Sequence, residues 1–362
     1  MAQLNDESGH RVAFYAATRA EAEDRLTEAR HRNRQGLRLT HGRQTLDAYL
    51  RGWLERKRSH VRVSTWSTYR GHLGRYVLGK PIGNVQLVDL RAEHIATLYR
   101  DLETSVSPQT VRHVATILRQ ALKAAVDAGE IVRNPADAIK TARVARSVMV
   151  TLTPKQVESL LRAANGDELE ALWVLAVTTG MRLRELLGLR WRSVAPGHKH
   201  LSVETSLSAN GQRATLTEPK TAGSRRRMSL PGIASDALRD HRWKEHERVK
   251  NGEREISTNP EFADLVFTNR HGDPLDGRKV TSMRFKALLK KAGLPDMRFH
   301  DLRHTAATLL LGAGTHPKVV SAMLGHSTIA VTLDLYSHVS DSMTREAAGS
   351  MDRLLGWVPE PG

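Results

Sequence analysis

Six side chains after residue 180 carry the chemistry needed to break and remake a phosphodiester. They are Arg182 in "TGMRLRELLGLRW", Lys220 in "TEPKTAGSRRR", His300 and Arg303 in "FHDLRHTAATLLLGAG", His326 in "LGHS" and Tyr336 in "TLDLYSH". Two guanidinium groups can hold the non-bridging oxygens of a phosphate and stabilise the charge of a five-coordinate transition state. A tyrosine hydroxyl can attack phosphorus once positive neighbours offset its free pKa of about 10. A histidine can take and return that proton near neutral pH, and a lysine can protonate the leaving sugar oxygen. Such a reaction uses no metal, because the arginines supply the positive charge. It uses no ATP, because a covalent phosphotyrosine retains the energy of the broken bond. Tyr336 stands out for a second reason: the chain has 6 tyrosines, and all the others lie in its first 99 residues.

Taken singly, each of these residues also has an ordinary structural reading. Arg182 with Glu185, three residues on along a helix, makes a surface ion pair. Lys220 is a solvated turn lysine. Tyr336, in a helix with Leu333 and Leu335, is a core residue. His300 and His304 have the i, i+4 spacing of a zinc site. That last reading fails on chemistry: the residue after the first histidine is Asp301 rather than Glu, no third ligand is evident, and Arg303 would repel a cation. An arginine one turn from a histidine suits an anion.

Composition narrows the setting. A chain of 362 residues is long enough for two domains. It has no cysteine, which removes disulfides and thiolate chemistry. No apolar run approaches the roughly 18 residues of a membrane span, and the start, MAQLNDESGH, lacks the apolar core of a signal peptide. A cytoplasmic protein is expected. The net charge of +16 and a pI near 10.4 point to a polyanionic partner. The excess is concentrated in residues 40–146, where 18 Lys+Arg face 9 Asp+Glu.

The elements that must position the six side chains follow from periodicity. In "HRVAFYAATRAEAEDRLTEAR" the Val12/Phe14 alternation predicts one strand, and Thr18 with Glu21 predicts a capped helix. Residues 44–140 read as about four helices. The first has Leu46, Tyr49, Leu50, Trp53 and Leu54 on one face, the second has a cap at Ser64, and the last opens with Ser-Pro and stops at Gly129. "KTARVARSVMV" lacks a clear period and reads as a linker. A second domain then opens with Thr153 as cap, Pro154 at the first helical position and Gln156 completing the box, followed by the apolar helix "ELEALWVLAVTTG". Asn210-Gly211 signals a hairpin, a further break lies at "KTAGSR", and three strands in one small antiparallel sheet are expected. From about residue 233 helices are expected to continue to the end.

The whole set resembles the tyrosine recombinase, or phage-type integrase, family. The motifs that carry the resemblance are "TGMRLRELLGL", "PKTAGSRRRMSLP", "HDLRHTAATLLLGAG", "LGHS" and "TLDLYSH", in the family's order and at its spacing. The resemblance covers residues from about 44 to 340. It implies a mainly α fold with a small antiparallel β-sheet: a helical core-binding domain (41–140), a linker (141–150) and an α+β catalytic domain (151–340). The stretch 1–40 resembles the end of a small arm-site DNA-binding domain whose earlier strands are absent. The stretch 341–362, with Met343, Ala347, Met351, Leu354 and Leu355 at helical spacing, implies a tail helix exchanged between protomers.

The resemblance also implies roles. Arg182 and Arg303 clamp the phosphate, Lys220 is the general acid, His300 is an acid/base group, and His326 orients the phosphate. Tyr336 is the nucleophile that forms a 3′-phosphotyrosyl link, and Glu185 is the acidic support. His304 is structural. The implied function is site-specific integration of a phage or integrative element, with double-stranded DNA at attachment sites as substrate. A homotetramer on DNA and an excisionase or directionality factor are the implied partners, and no cofactor or metal is implied. A resolvase of plasmids or chromosome dimers shares the chemistry, and a catalytically silent DNA-binding relative is the reading from another class. A type IB topoisomerase is not expected to carry this N-terminal bundle.

Overall fold

The structure, a computed structural model, describes residues 2–5, 11–14, 18–34, 44–142, 149–210, 213–218, 225–326, 328–330, 332–333, 351 and 354–356. It separates into two compact units, Met1–Arg146 and Ser147–Gly362.

The first unit begins with an antiparallel ribbon of β1 (Ala2–Asn5) and β2 (Arg11–Phe14), in which Leu4 stands opposite Val12 and Ala2 opposite Phe14. One strand was expected here, and two are present. A four-residue strand in a two-stranded ribbon is held by its backbone ladder, so the polar composition around "AQLN" carries little signal for it. Helix α1 (Arg19–Arg34) follows, and the Thr18 hydroxyl accepts from the Glu21 N–H at 3.3 Å, as its cap pattern predicts.

The helical part contains α2 (Leu46–Arg58), α3 (Val63–Tyr76), α4 (Ala92–Glu103) and α5 (Pro108–Asp127). The stripe Leu46, Tyr49, Leu50, Trp53 and Leu54 is buried as its spacing dictates, against Ile95, Val114, Leu118 and Leu122 in one core. Burying each such side chain contributes about 1.5–3 kcal/mol. The Tyr49 hydroxyl crosses to α5 and donates to the Ala121 carbonyl at 2.6 Å. Ser107 caps α5 ahead of Pro108, and Gly129 follows its end with φ of 68°. The cap of α3 is Arg62, not Ser64: the extended backbone lies at Arg62, which leaves Ser64 inside the first turn. The linker residues 143–148 fall outside the described residues.

The second unit opens with α6 (Pro154–Ala164), where Thr153 and Gln156 form the expected reciprocal cap, worth about 1 kcal/mol. The apolar α7 (Glu170–Thr179) is buried nearly all round, and the short α8 (Leu183–Leu187) follows. The β-structure differs from the expected three-stranded sheet. Among the described residues four strands form two separate ladders: β3 (His200–Val203) pairs with β6 (Arg226–Ser229), and β4 (Ser206–Asn210) pairs with β5 (Arg213–Thr217). The run "HLSVETSLSAN" leaves one ladder for the other at Glu204-Thr205, where the Thr205 hydroxyl is tied to the Gly188 carbonyl at 2.5 Å. The hairpin predicted at Asn210-Gly211 is present, with Asn210 still paired to Arg213.

Helix α9 (Gly232–Lys250) begins where expected, but residues 251–276 are irregular rather than helical. Gly252, Pro260, Gly272 and Pro274 break helical continuity, and the buried Arg254 organises the segment. Its guanidinium donates to the Thr268 and Asn269 carbonyls at 2.6 and 2.7 Å and to Glu168 at 2.7 Å. Helical chain resumes as α10 (Gly277–Lys279), a π turn over Val280–Arg284 and α11 (Phe285–Lys291), then α12 (Asp301–Gly312) and α13 (Pro317–Leu324). Trp173, Phe285 and Phe299 meet at ring separations of 5.4–6.1 Å in the centre of this unit. Among the described residues, no helix is long and apolar enough to cross a membrane.

Candidate active site

The site is assembled from three chain reversals. The first follows α7. Gly180 takes the left-handed conformation (φ 63°), and a side chain there would meet Leu324 Cδ2 at 2.3 Å, so only glycine allows the turn. The chain then runs extended into Arg182, which caps α8. Glu185, one turn on, accepts from the Arg182 backbone N–H at 3.0 Å and from Arg182 Nη1 at 2.8 Å. Arg182 Nη2 donates to the Gly325 carbonyl at 2.9 Å, while 37% of the side chain stays exposed. The expected Arg182–Glu185 pair is therefore present, but its carboxylate is buried and it is no surface ion pair.

The second reversal leads into α12. Arg298 grips Asp301 through its own N–H at 3.0 Å and through Nη2 at 2.8 Å, which pins the first turn. His300 sits at the N-cap, and its ring meets His304 edge to face at 5.2 Å. Arg303, only 3% exposed, donates Nη1 to the Gly180 carbonyl at 2.8 Å. Its Nη2 is buried without a hydrogen-bond partner. The third reversal is the left-handed Gly325 after α13, which delivers His326 with Nδ1 2.8 Å from the Thr332 hydroxyl.

The electrostatics show that these groups share one neighbourhood. Burial would raise the Glu185 carboxyl, but hydrogen bonds and charge from Arg226 and Arg182 outweigh it and hold it below the ordinary range. Burial, then Arg182, pulls Arg303 down to about 9, and it stays charged at neutral pH. Burial, then Arg303 and Arg182, lowers His326 to about 4. His300 is lowered by desolvation of one flank, then by His304, Arg303 and Arg182, while its other flank is open to solvent. Two cations beside two neutral imidazoles, with one buried N–H unsatisfied, form a receptor for an anion.

Five of the predicted residues, Arg182, Glu185, His300, Arg303 and His326, converge. Lys220 and Tyr336 lie outside the described residues. His304 is half-buried against His300, and its Nδ1 is buried without a partner. Among the described residues no cluster of His, Asp or Glu could hold a metal ion. The sequence reading missed Arg226, which donates Nη2 to Glu185 Oε2 at 2.8 Å and Nε to the Met323 carbonyl at 2.6 Å. In "SRRRMS" three consecutive arginines look alike, and only the strand's alternation turns Arg227 outward and Arg226 toward the site.

The model of the phage integrase family matches residues 150–343, more than half of the chain. A putative prophage phiRv2 integrase of Mycobacterium tuberculosis is 30% identical over 309 residues, covering 84% of this chain and 77% of the relative. A "Tyrosine recombinase XerC-like" protein of Caldanaerobacter subterraneus subsp. tengcongensis is 29% identical over 96% of this chain and 94% of its own length. Among solved structures, the Tn1549 transposon integrase in complex with a circular intermediate DNA superposes with a TM-score of 0.72 at 25% identity, covering 86% of this chain and 99% of that one. Fold, family model and relatives agree: the chain belongs to the phage integrase family, the tyrosine recombinases that cleave and rejoin DNA.

Proposed function

We propose that the chain is the integrase of a phage or integrative element and recombines double-stranded DNA at attachment sites. The observation that supports this most is the preformed anion receptor, in which the exposed edge of Arg182 and the unsatisfied Nη2 of Arg303 stand beside neutral His300 and His326. In this reading the two arginines bind the non-bridging oxygens of the scissile phosphate. Tyr336 Oη attacks phosphorus, the 5′ oxygen leaves with a proton from Lys220, and a 3′-phosphotyrosyl bond replaces the phosphodiester. Attack by a 5′-hydroxyl of another strand reverses these steps and rejoins the DNA. His300 handles the tyrosine proton and His326 orients the phosphate. Integrases of an integrative element (ICEBs1 of Bacillus subtilis, 27% identical) and of Mycobacterium phage L5 (27% identical) stand among the relatives and support the integrase assignment over a resolvase.

Residues 41–140 then serve as a core-site DNA grip, 151–340 as the catalytic domain, and 1–40 as the remnant of an arm-site domain with weak or absent arm-site binding. The exposed Met351, Leu354 and Leu355 suit a tail that packs on a neighbouring protomer of a tetramer working in the cytoplasm, with an excisionase setting direction. The test is a nicked suicide duplex built from DNA flanking the gene, incubated with wild type and with Tyr336→Phe. SDS-resistant adducts with wild type alone are expected. Adducts with both proteins would remove Tyr336 from its role, and specific binding with no adduct would favour a silent relative.

A further inference from the structure

The buried Arg226 was assigned no role by the motif it shares with Lys220, yet it joins Glu185 on α8 to the turn that ends α13. Its side chain is 6% exposed. Nη2 and Nη1 donate to Glu185 Oε2 and Oε1 at 2.8 and 3.3 Å, and Nε donates to the Met323 carbonyl at 2.6 Å. The same carboxylate holds Arg182, and Arg182 Nη2 in turn holds the Gly325 carbonyl at 2.9 Å. A closed ring therefore runs from Arg226 through Glu185, Arg182 and the turn after α13 back to Arg226. A Cβ at position 325 would stand 2.9 Å from Arg226 Nη1, so the turn is fitted around this guanidinium as well as around its left-handed backbone.

We propose that Arg226 is the positioning residue of the phosphate clamp: it locks Glu185, and through it sets the Arg182 guanidinium and the turn that carries His326. This rests on reading Arg182 as a clamp of the scissile phosphate. A fork-shaped guanidinium satisfies both oxygens of one carboxylate and a carbonyl at once, which lysine cannot do. Without it, Glu185 keeps Arg182 as its ion-pair partner, and the Arg182 side chain is free to follow the carboxylate away from the position where phosphate charge develops. Misplacing a charged donor by about 1 Å costs on the order of 100-fold in rate. Arg226 itself touches no substrate in this scheme.

The experiment compares adduct formation by wild type and Arg226→Gln on two nicked duplexes drawn from the gene's flanks, one with an ordinary scissile phosphate and one with a methylphosphonate. The methyl group removes a non-bridging charge, so a misplaced clamp matters less. The expected result is a loss of about 100-fold on phosphate that shrinks to under about ten-fold on methylphosphonate. DNA affinity should stay within about three-fold, and the loss should nearly vanish when Arg226→Gln is added to Arg182→Ala. An equal loss on both duplexes, or full additivity with Arg182→Ala, would overturn the proposal. Wild-type cleavage by Arg182→Ala alone would remove the clamp reading and this one with it. Melting curves report whether Arg226→Gln folds. If it does not, Arg226→Lys, which keeps the charge but not the fork, carries the same comparison.

Discussion

Two sets of arginines, one in each unit, are used in opposite ways. In the helical unit, Arg58 and Arg70 stack on the indole of Trp66 at 5.4 and 4.8 Å, Arg75 lies over Tyr76, and all three guanidiniums face solvent. In the catalytic unit, Arg226 and Arg303 are buried, and each spends hydrogen bonds on a fixed carbonyl or carboxylate. Solvated arginines on aromatic platforms attract a polyanion at low desolvation cost and are screened by salt. Buried arginines cost several kcal/mol to desolvate, and that cost is justified where charge must be stabilised at one point. In the proposed reading, the first set governs affinity and the second chemistry.

Breaking the buried set should have the largest effect. Arg303→Ala should lower the cleavage rate by about 10³-fold with only a small change in DNA affinity, measured by single-turnover adduct formation beside a binding titration. Equal losses in both would erase the distinction between the units. Glu185→Ala is next. It leaves Arg182 and the buried Arg226 without their shared carboxylate, so unfolding should become easier by about 3–5 kcal/mol, readable by denaturant titration, and cleavage should fall with it. Glu185→Gln, which keeps part of the hydrogen bonding, should lose less.

The solvated set should respond to salt. Arg58→Ala and Arg70→Ala should each reduce the slope of log affinity against log salt by about 1. Their effect belongs in affinity and should be small in the rate at saturating DNA. A rate defect that persisted at saturation would blur the comparison.

The smallest effect expected is with pH. His326 titrates near 6.5 when unfolded and at about 4 in the folded site. Between those values the unfolded chain binds more protons, so this contribution to stability is complete above pH 6.5 and is lost as pH falls toward 4. His326→Gln should flatten that part of the melting-temperature profile. A bound phosphate raises the imidazole pKa, so DNA binding should take up protons below about pH 6, which calorimetry in buffers of different ionisation heat would show.

The contrast also explains what the sequence could disclose. The helical unit was legible because amphipathic spacing, as in Leu46 to Leu54, states burial directly. The placement of Arg182, Glu185, His300 and Arg303 was legible because each lies within one or two turns of a helix start, where local spacing fixes geometry. Arg226 was not, since its partners Glu185 and Met323 lie 41 and 97 positions away. The split of the β-structure into two ladders depends on long-range pairing of β3 with β6, which strand propensity does not encode. The irregular 251–276 segment is organised by one buried arginine, Arg254, that no periodicity marks.

The most direct measurement is to isolate the protein–DNA adduct from a suicide duplex, digest both polymers and sequence the linked peptide by mass spectrometry. The expected result is the peptide spanning Tyr336, esterified to a 3′ phosphate opposite a free 5′-hydroxyl. Attachment through another residue, or through a 5′ phosphate, would contradict it.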